Sequence, residues 1–256
     1  LLLFMKKILA VIPARLQSQR LPTKPLIDLE GKTVIQRVWE QAIKVDNLSR
    51  VVISTDSEKI LEVCKSFGAE AVLTSTSCRT GTDRVAETYK LVGEDYELIL
   101  NIQGDMPFIN PDLISRCLTE LNKNSASFDM ATPAYPILDE DLFNKPNIVK
   151  VVINSEGFAM FFSRSPIPYP RLKKPSPLSY KHLGLYIFKP AALIAFTQLE
   201  SGFYEQVEGL EQLRLLENGF KIKVIKVDEK LCYPGIEIDT PEDVSKAIEY
   251  IKQTDS

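Results

Sequence analysis

Short apolar runs alternate with amphipathic helical patterns through the first half of the chain. The apolar runs occupy residues 7–12, 51–53, 70–73 and 98–102, and the helical patterns cover 34–43, 57–67, 82–92 and 111–122. Apolar runs separated by helices are typical of parallel strands that are buried on both faces and joined by crossover helices. We therefore predict an α/β fold with a doubly wound, mostly parallel central sheet.

The second half of the chain has a different pattern. Residues 148–154 and 158–163 flank a turn at Glu156-Gly157, which predicts an antiparallel hairpin. Residues 166–177 hold five prolines and are predicted to be irregular or extended. Further strands are predicted at 183–188 and 221–227, and further helices at 209–218 and from Pro241 onward.

The length and charge of the chain restrict its class. A chain of 256 residues is long enough for one large domain. We expect a single domain over residues 1–256, in which a hairpin sub-region at about 145–190 extends the sheet and forms a dimer surface. Lys plus Arg number 31 and Asp plus Glu number 34, so the net charge is −3. This balance argues against a nucleic-acid partner, because proteins that bind nucleic acid usually carry a basic excess.

Cysteine and histidine usage and the N-terminal sequence restrict it further. The four cysteines form no CxxC pair and the chain has one histidine, so a zinc site built from these residues is not expected. A core of this size needs no disulfides, and we expect reduced thiols in the cytoplasm. Lys6 and Lys7 interrupt the apolar N-terminal run, so we expect neither a signal peptide nor a membrane span, with the natural start at Met5.

The loop after the first predicted strand concentrates positive charge. Arg15, Arg20 and Lys24 fall within ten residues, and three prolines, beginning with Pro13, restrict the backbone. Ligands of parallel sheets bind at the carboxyl ends of strands, so this loop is predicted to bind a polyphosphate, the alternative being a solvated basic loop. Two other phosphate motifs are incomplete: Gly31-Lys32-Thr33 lacks the earlier glycine of a P-loop, and no GxGxxG occurs.

Two acidic residues that are far apart in the chain are candidates for a metal site. Asp105 follows the fourth predicted strand beside Gly104, which would let a ligand approach closely, and Asp239 precedes the last predicted helix. Together with phosphate oxygens and water, the two carboxylates could complete a magnesium site. The alternatives are a turn cap for Asp105 and a helix cap for Asp239.

A polar loop at 74–84 precedes the third predicted helix. Its hydroxyl groups, Gly81 and Arg84 suit hydrogen bonding to a base or a phosphate. The alternative is an ordinary loop leading into a helix, since such loops are often rich in Thr and Ser.

Taken together, these loops resemble the 3-deoxy-D-manno-octulosonate (Kdo) cytidylyltransferases, or CMP-Kdo synthetases, from about Lys7 to the last helix. The family opens with the pattern P-A-R-x-x-S-x-R-x-P-G-K-P-L, which this chain matches except that Thr23 replaces the glycine. The other matching segments are Thr55-Asp56, Gly81 to Arg84, Asn101 to Asp105, Phe162 to Arg164, His182 to Gly184, Glu211 to Arg214 and Asp239 to Asp243. The opening motif is shared with CMP-sialic acid synthetases, but the full ordered set is specific to the Kdo enzymes.

The resemblance implies a Rossmann-like nucleotidyltransferase that joins CTP to Kdo, giving CMP-Kdo and diphosphate. Arg15 and Lys24 would hold the triphosphate, and Asp105 and Asp239 would hold the cofactor Mg²⁺. The implied nucleotide-binding residues are Pro13, Ala14, Arg15, Arg20, Lys24, Thr74, Gly81, Thr82, Arg84 and Gln103. The implied sugar-binding residues are Arg164, His182, Tyr186, Glu211 and Gln212. Of these, Arg164 is the favoured partner of the sugar carboxylate, and Tyr186 is favoured as a core residue over a sugar contact.

Met106 is a departure from the family, which usually has Q-G-D-E-P where this chain has Gln103 to Pro107. Methionine is not a magnesium ligand, so any role of that glutamate does not carry over. A related branch that activates 8-amino-3,8-dideoxy-Kdo also varies at this position and shares Tyr180 to Gly184. The sugar is therefore left open between Kdo and its 8-amino analogue, with a related CMP-acidic-sugar synthetase as a further alternative.

Two other function classes compete with this one. A glycosyltransferase would carry a D-x-D metal motif, which Asp105-Met106-Pro107 does not complete. A nucleotide-sugar-binding protein without activity is favoured only by Met106. The family resemblance further implies a role in building the inner core of lipopolysaccharide, a cytoplasmic location and a homodimer, with neither nucleic acid nor membrane as a partner.

Overall fold

The structure is a computed structural model that describes residues 7–16, 21–93, 95–123, 127–171 and 176–254. Internal contacts divide the chain into two compact units. The first unit is Leu1–Ser115 with Cys232–Ser256, and the second is Arg116–Leu231. The assignment of residues 1–256 to a single domain stays a prediction.

The first unit is built on a parallel sheet in the strand order β5-β4-β1-β6. Its strands are β1 (Ile8–Ala14), the short antiparallel pair β2 (Asp28–Leu29) and β3 (Lys32–Thr33), β4 (Arg50–Thr55), β5 (Ala71–Leu73) and β6 (Leu98–Ile102). In β1, residues 8–12 are at most 2% exposed, because neighbouring strands flank the strand and helices cover the sheet. The predicted parallel α/β sheet is confirmed.

Helices of the first unit follow the predicted amphipathic patterns closely. They are α1 (Val34–Ala42), α2 (Glu58–Ser66), α3 (Gly81–Val92), the start of α4 (Pro111–Lys123) and α9 (Pro241–Thr254). Helix α1 begins where Thr33 accepts a hydrogen bond from the backbone N–H of Gln36, and it buries Val34, Ile35 and Val38. The end of the chain joins the same core, because Ala247 of α9 packs in one cluster with Val34.

The second unit contains strands that are mostly antiparallel. They are β7 (Met130–Ile137), β8 (Lys150–Ile153), β9 (Ala159–Ser163), β10 (Ser179–His182), β11 (Leu185–Phe188) and β12 (Ile222–Lys226). The predicted hairpin is confirmed as the antiparallel pair β8–β9. Strand β7 pairs antiparallel with β10 and β11 and parallel with β12.

Several elements of the second unit differ from the sequence prediction. The helices are α5 (Glu140–Asn144), α6 (Pro190–Gln198), α7 (Phe203–Glu208) and α8 (Gln212–Glu217). Strand β7 was not predicted from the sequence, because Pro133 and Pro136 lack the N–H that a residue in a central strand normally donates. The prediction of a single helix at 209–218 is wrong at its N-terminal end. Gly209, with φ of 62°, ends α7, and α8 begins only at Gln212.

None of the helices in the described part of the chain is both long and apolar enough to cross a membrane.

Candidate active site

A cavity of about 420 Å³ lies in the first unit at the carboxyl ends of β1 and β6. Ligands of open parallel sheets bind at this edge, and the predicted loops converge there. The residues that line the cavity are Pro13, Ala14, Arg15, Lys24, Pro25, Cys78, Thr80, Gly81, Arg84, Gln103, Gly104, Asp105 and Asp239. The predicted residue Arg20 lies outside the described residues.

Lys24 lies between the two predicted metal-binding acids. Its Nζ donates to Asp105 Oδ2 at 2.8 Å and to Asp239 Oδ1 at 3.0 Å, and its side chain is 16% exposed. The two acidic loops are joined directly, because the backbone N–H of Ile238 donates to the carbonyl of Asp105 at 2.9 Å. Burial alone would lower the pKa of the Lys24 ammonium, but the charges and hydrogen bonds of both carboxylates outweigh it and raise the pKa.

The alternative of a helix cap at Asp239 does not describe this arrangement. The hydroxyl of Thr240 accepts from the backbone N–H of Asp243 at 3.4 Å. The carboxylate of Asp243 in turn accepts from the backbone N–H groups of Asp239 and Thr240. Asp243 therefore satisfies the start of α9 and leaves the Asp239 carboxylate directed at Lys24.

The donor set of Asp105 and Asp239 fits a divalent ion such as Mg²⁺. Both carboxylates place an oxygen within 3.0 Å of one cationic nitrogen, so they converge on a single positive centre. Magnesium prefers oxygen ligands and commonly takes one or two carboxylates together with substrate phosphates and water. Within the described residues, no group of three or more His, Cys, Asp or Glu side chains could hold a metal. Magnesium binding here would therefore draw its remaining ligands from substrate and water.

Arg84 is a buried cation at the cavity wall. It is 3% exposed, its Nη2 donates to Asp56 Oδ2 at 2.7 Å, and its Nη1 donates to the hydroxyl of Thr74. Thr74 is itself buried, and its hydroxyl donates to the carbonyl of Thr55. Of these two predicted nucleotide-binding residues, Arg84 lines the cavity and Thr74 supports it from behind.

Gln103 is supported in a similar way. Its Nε2 donates to Asn101 Oδ1 at 3.2 Å, and Asn101 Nδ2 donates to the hydroxyl of Thr82 at 3.1 Å. Gln103 lines the cavity, whereas Thr82 is fully buried and is not among the described lining residues. The structure therefore places Thr82 behind Gln103.

Gly104 has a reason for being glycine that the sequence did not show. A Cβ at this position would meet the carbonyl oxygen of Pro13 at 2.6 Å, whereas at Gly81 the nearest atom, Pro13 Cγ, would lie 3.5 Å away. The close approach is thus between the ends of β1 and β6. It brings Pro13, Ala14 and the exposed Arg15 to the same cavity as Asp105.

Among the described residues, four further ones line the cavity although they were not predicted as site residues: Pro25, Cys78, Thr80 and Gly104. Cys78 and Thr80 lie in the polar loop that the sequence singled out, and their position next to Gly81 was the available signal. Burial, with a smaller contribution from the carboxylate of Glu87, raises the pKa of the Cys78 thiol to about 12. Met106 is buried in the turn after β6 and, among the described residues, does not belong to the lining.

His182, a predicted sugar-binding residue, lies in the second unit and is buried. Its Nε2 lies 3.0 Å from the hydroxyl of Thr132, which donates to the carbonyl of Leu183 at 3.0 Å. A hydroxyl has one proton, so Thr132 accepts from Nε2, and the Nδ1 of His182 is left as an acceptor. Burial lowers the pKa of His182 to about 3, so the ring is neutral at pH 7.

Tyr186 lies close to this histidine, and Gln212 contacts Tyr186. The rings of His182 and Tyr186 have centroids 5.7 Å apart, and the Tyr186 hydroxyl donates to Gln212 Oε1 at 3.2 Å. Gln212 is 2% exposed, and its Nε2 has no hydrogen-bond partner among the described residues. A buried amide donor without a partner is costly unless a ligand supplies an acceptor.

Arg164 is held by its neighbours in the second unit. Its backbone N–H donates to Glu208 Oε2 at 2.9 Å, its Nε donates to the Glu208 carbonyl at 2.8 Å, and its own carbonyl accepts from Lys150 Nζ. Lys150 is fully buried, and burial lowers its pKa. Glu211, the remaining predicted sugar residue, is half-buried and immediately precedes α8.

Sequence comparison identifies close relatives. A family model described as cytidylyltransferase matches residues 9–225. A 3-deoxy-manno-octulosonate cytidylyltransferase of Parabacteroides distasonis is 45% identical over 255 residues, covering 96% of this chain and 99% of the relative. One from Chloroherpeton thalassium is 42% identical and covers 94% of this chain and 96% of the relative.

Comparison with solved structures agrees with the comparison of sequences. CMP:2-keto-3-deoxy-manno-octonic acid synthetase complexed with CTP is 36% identical, with a TM-score of 0.89, and covers 97% of this chain and 99% of its own. A 4-diphosphocytidyl-2C-methyl-D-erythritol synthase from Anaerococcus prevotii is 20% identical with a TM-score of 0.61 over 96% of each chain. The second similarity concerns the fold alone.

Proposed function

Because the chain belongs to the 3-deoxy-manno-octulosonate cytidylyltransferase family, we propose that it converts CTP and Kdo to CMP-Kdo and diphosphate. The observation that carries the proposal is the position of Lys24 between Asp105 and Asp239 in a cavity at the carboxyl edge of a parallel sheet. This edge, with cations and acids side by side, suits a metal-bound nucleoside triphosphate.

Arg15 and Lys24 are assigned to the triphosphate. An ammonium group has three protons to donate, and Asp105 and Asp239 accept two of them from Lys24. The third is directed by the same contacts and is left for a phosphate oxygen. Arg15 is exposed at the cavity and can orient its guanidinium on the phosphates without breaking a buried contact.

Asp105 and Asp239 are assigned to magnesium. Mg²⁺ held by these residues would neutralise phosphate charge and lower the pKa of the sugar hydroxyl that reacts. Hydrogen bonds from Lys24 hold both carboxylates convergent on one point.

Gln103, Ala14, Gly81 and Arg84 are assigned to the ribose and cytosine. Gln103 keeps its carbonyl oxygen available, since its amide nitrogen donates to Asn101. A cytosine amino group needs such an acceptor. Arg84 is fixed by Asp56 and Thr74, so any donor that it offers to the cavity is pre-oriented.

The sugar is assigned to His182, Gln212, Glu211 and Arg164. Tyr186 is buried and supports Gln212 through its hydrogen bond. Kdo carries a carboxylate and many hydroxyl groups. The Nε2 of Gln212 offers a buried donor, and the Nδ1 of His182 offers an acceptor, so each can bind a sugar hydroxyl group. Arg164 suits the carboxylate, because a guanidinium binds carboxylates in a bidentate manner.

In the proposed reaction the 2-hydroxyl oxygen of Kdo attacks the α-phosphorus of CTP. A bond forms between that oxygen and phosphorus, the bond from phosphorus to the bridging oxygen breaks in line with it, and the hydroxyl proton is released. The residues of the chain contribute positioning and charge stabilisation. Arg15 and Lys24 stabilise the charge that accumulates on the departing diphosphate.

A homodimer and a cytoplasmic role in lipopolysaccharide synthesis are part of the same proposal. Met160 and Tyr169, within the predicted dimer sub-region at 145–190, are exposed large hydrophobic side chains, as are Phe203 and Val207 of α7. A second copy of the chain would cover such surfaces. CTP is a cytoplasmic metabolite, and CMP-Kdo is the activated donor for the inner core of lipopolysaccharide. Sedimentation of the purified chain as a monomer at micromolar concentration would contradict the dimer.

The reaction is tested by incubating the protein with CTP, Mg²⁺ and Kdo and measuring diphosphate release and CMP-Kdo. We expect both products from Kdo, and parallel reactions contain 8-amino-3,8-dideoxy-Kdo or no sugar. Faster turnover of the 8-amino analogue would reassign the substrate. CTP binding with neither sugar consumed would instead leave a nucleotide-binding protein without this activity.

A further inference from the structure

The polar loop before α3 is held by two acids of that helix. We call residues 75–80 the wall segment, because Cys78 and Thr80 within it line the cavity. Glu87 and Asp83 stand one turn apart on α3, so their side chains lie on the same face. Asp83 accepts from the backbone N–H groups at the end of the wall segment, as part of an ordinary capping box.

Glu87 makes contacts that a helix cap does not require. Its Oε1 accepts from the backbone N–H of Ser75 at 2.8 Å, and its Oε2 accepts from the Cys78 thiol at 3.1 Å. One carboxylate therefore joins the start of the wall segment to the side chain that faces the cavity. Both carboxylate oxygens of Glu87 accept hydrogen bonds from the wall segment, so this side chain does more than carry a surface charge.

The support beneath Glu87 is rigid. Helix α3 buries Val85, Ala86 and Tyr89 against the sheet, and at 12 residues it spans about three turns. A side chain that is mounted on a packed helix positions a loop more accurately than the loop can position itself. Ser77 adds a local contact, since its N–H donates to the Ser75 hydroxyl at 3.0 Å.

We propose that Glu87 is a positioning residue for nucleotide binding, which fixes the wall segment so that Cys78 and Thr80 form one side of the cavity. The identity of the nucleotide as CTP rests on the proposed function. Glu87 acts through Ser75 and Cys78 and is not assigned a contact with the nucleotide. The protonated state of the Cys78 thiol follows from its raised pKa and makes it a donor to Glu87.

The test compares Glu87→Gln, Cys78→Ala and the double variant with a matched control, Glu62→Gln, which removes an exposed charge from α2. Loss of charge-assisted hydrogen bonds in Glu87→Gln should raise the KM for CTP about 10-fold, with a much smaller change in kcat. Cys78→Ala keeps the carboxylate and should raise KM about 3-fold. Because Glu87 acts partly through Cys78, the double variant should raise KM by less than the product of the single effects.

A second readout does not depend on turnover. Iodoacetamide modifies accessible thiols, and peptide mapping compares Cys78 with the half-buried Cys232 as an internal reference. Without the Glu87 carboxylate, the Cys78 thiol should ionise more readily and be alkylated about 10-fold faster, while Cys232 is unchanged. At each of the two cysteines, the alkylation rate in Glu62→Gln should equal the rate in the wild type.

The two proposals can fail separately. If the wild type makes no CMP-Kdo but Glu87→Gln accelerates Cys78 alkylation, the proposed function fails and the positioning role is supported. If the wild type is active and Glu87→Gln matches it both in KM for CTP and in Cys78 alkylation, the positioning role is overturned and the proposed function stands.

Discussion

Lys24 and Asp105 form a hydrogen-bonded ion pair of 2.8 Å across 81 residues of sequence, between the loop after β1 and the loop after β6. Asp239 accepts a second hydrogen bond from the same ammonium group. The arrangement fixes the positive charge of Lys24 at the cavity and keeps two acids convergent on one point. It is the geometric basis of the proposed triphosphate and magnesium site.

Replacement of Lys24 by methionine keeps the length of the side chain and removes its charge. We expect Lys24→Met to lower kcat/KM for CTP at least about 100-fold, because a pre-oriented charge on the reacting phosphates is lost. Lys32→Met is the matched control: Lys32 pairs with Glu40 at a more exposed site, where such pairs contribute little. Steady-state diphosphate release measures both, and equal losses in the two variants would contradict the assignment.

Gly104→Ala tests the close approach of β6 to β1. Its new methyl group would meet the Pro13 carbonyl at 2.6 Å, and because that atom belongs to the backbone, relief requires a shift of a strand end. We expect the free energy of unfolding to fall by about 1–3 kcal/mol, as in other overpacked sites. Gly81→Ala, where the nearest contact is an ordinary 3.5 Å, should change it by less than about 1 kcal/mol. Urea unfolding compares the variants, and similar midpoints for both would refute the steric account.

The buried, neutral His182 predicts a pH dependence of stability. Burial lowers its folded pKa to about 3, below the unfolded value, so the unfolded chain binds the extra proton at intermediate pH. The contribution of His182 to the free energy of unfolding is therefore fully present above pH 6.5 and decreases as the pH falls toward 3. From pH 7 to pH 5 the wild type should lose about 2 kcal/mol more stability than His182→Gln. Denaturant unfolding at both pH values tests this, and equal losses would show that His182 is protonated in the folded protein.

The sequence was most informative where one physical requirement dominated. Residues 7–12 and 98–102 had to be buried strands because they are almost wholly apolar, and the structure has β1 and β6 there. The convergence of Lys24, Asp105 and Asp239 was expected because loops at the carboxyl edge of one sheet meet, and all three line one cavity. Their catalytic roles stay predictions.

The sequence was less informative where tertiary contacts decide. Thr74 and Thr82 have the chemistry of ligand contacts, and only the fold shows that they lie behind Arg84 and Gln103. Strand β7 is stabilised by pairing with three other strands, which outweighs the local effect of its two prolines. The reason for glycine at position 104 is a contact with a residue 91 positions earlier, which no local pattern reveals.

The most direct test of the account is the rate of CMP-Kdo formation by Asp105→Asn in the presence of CTP, Kdo and Mg²⁺. Asparagine keeps the shape and an acceptor for Lys24 but loses the charge that a hard metal ion prefers. Asp112→Asn, at an exposed position in α4, is the control and should retain the wild-type rate. We predict that Asp105→Asn is folded, by circular dichroism, and slower by at least about 100-fold. A folded Asp105→Asn protein that makes CMP-Kdo at a rate near that of the wild type would contradict the account.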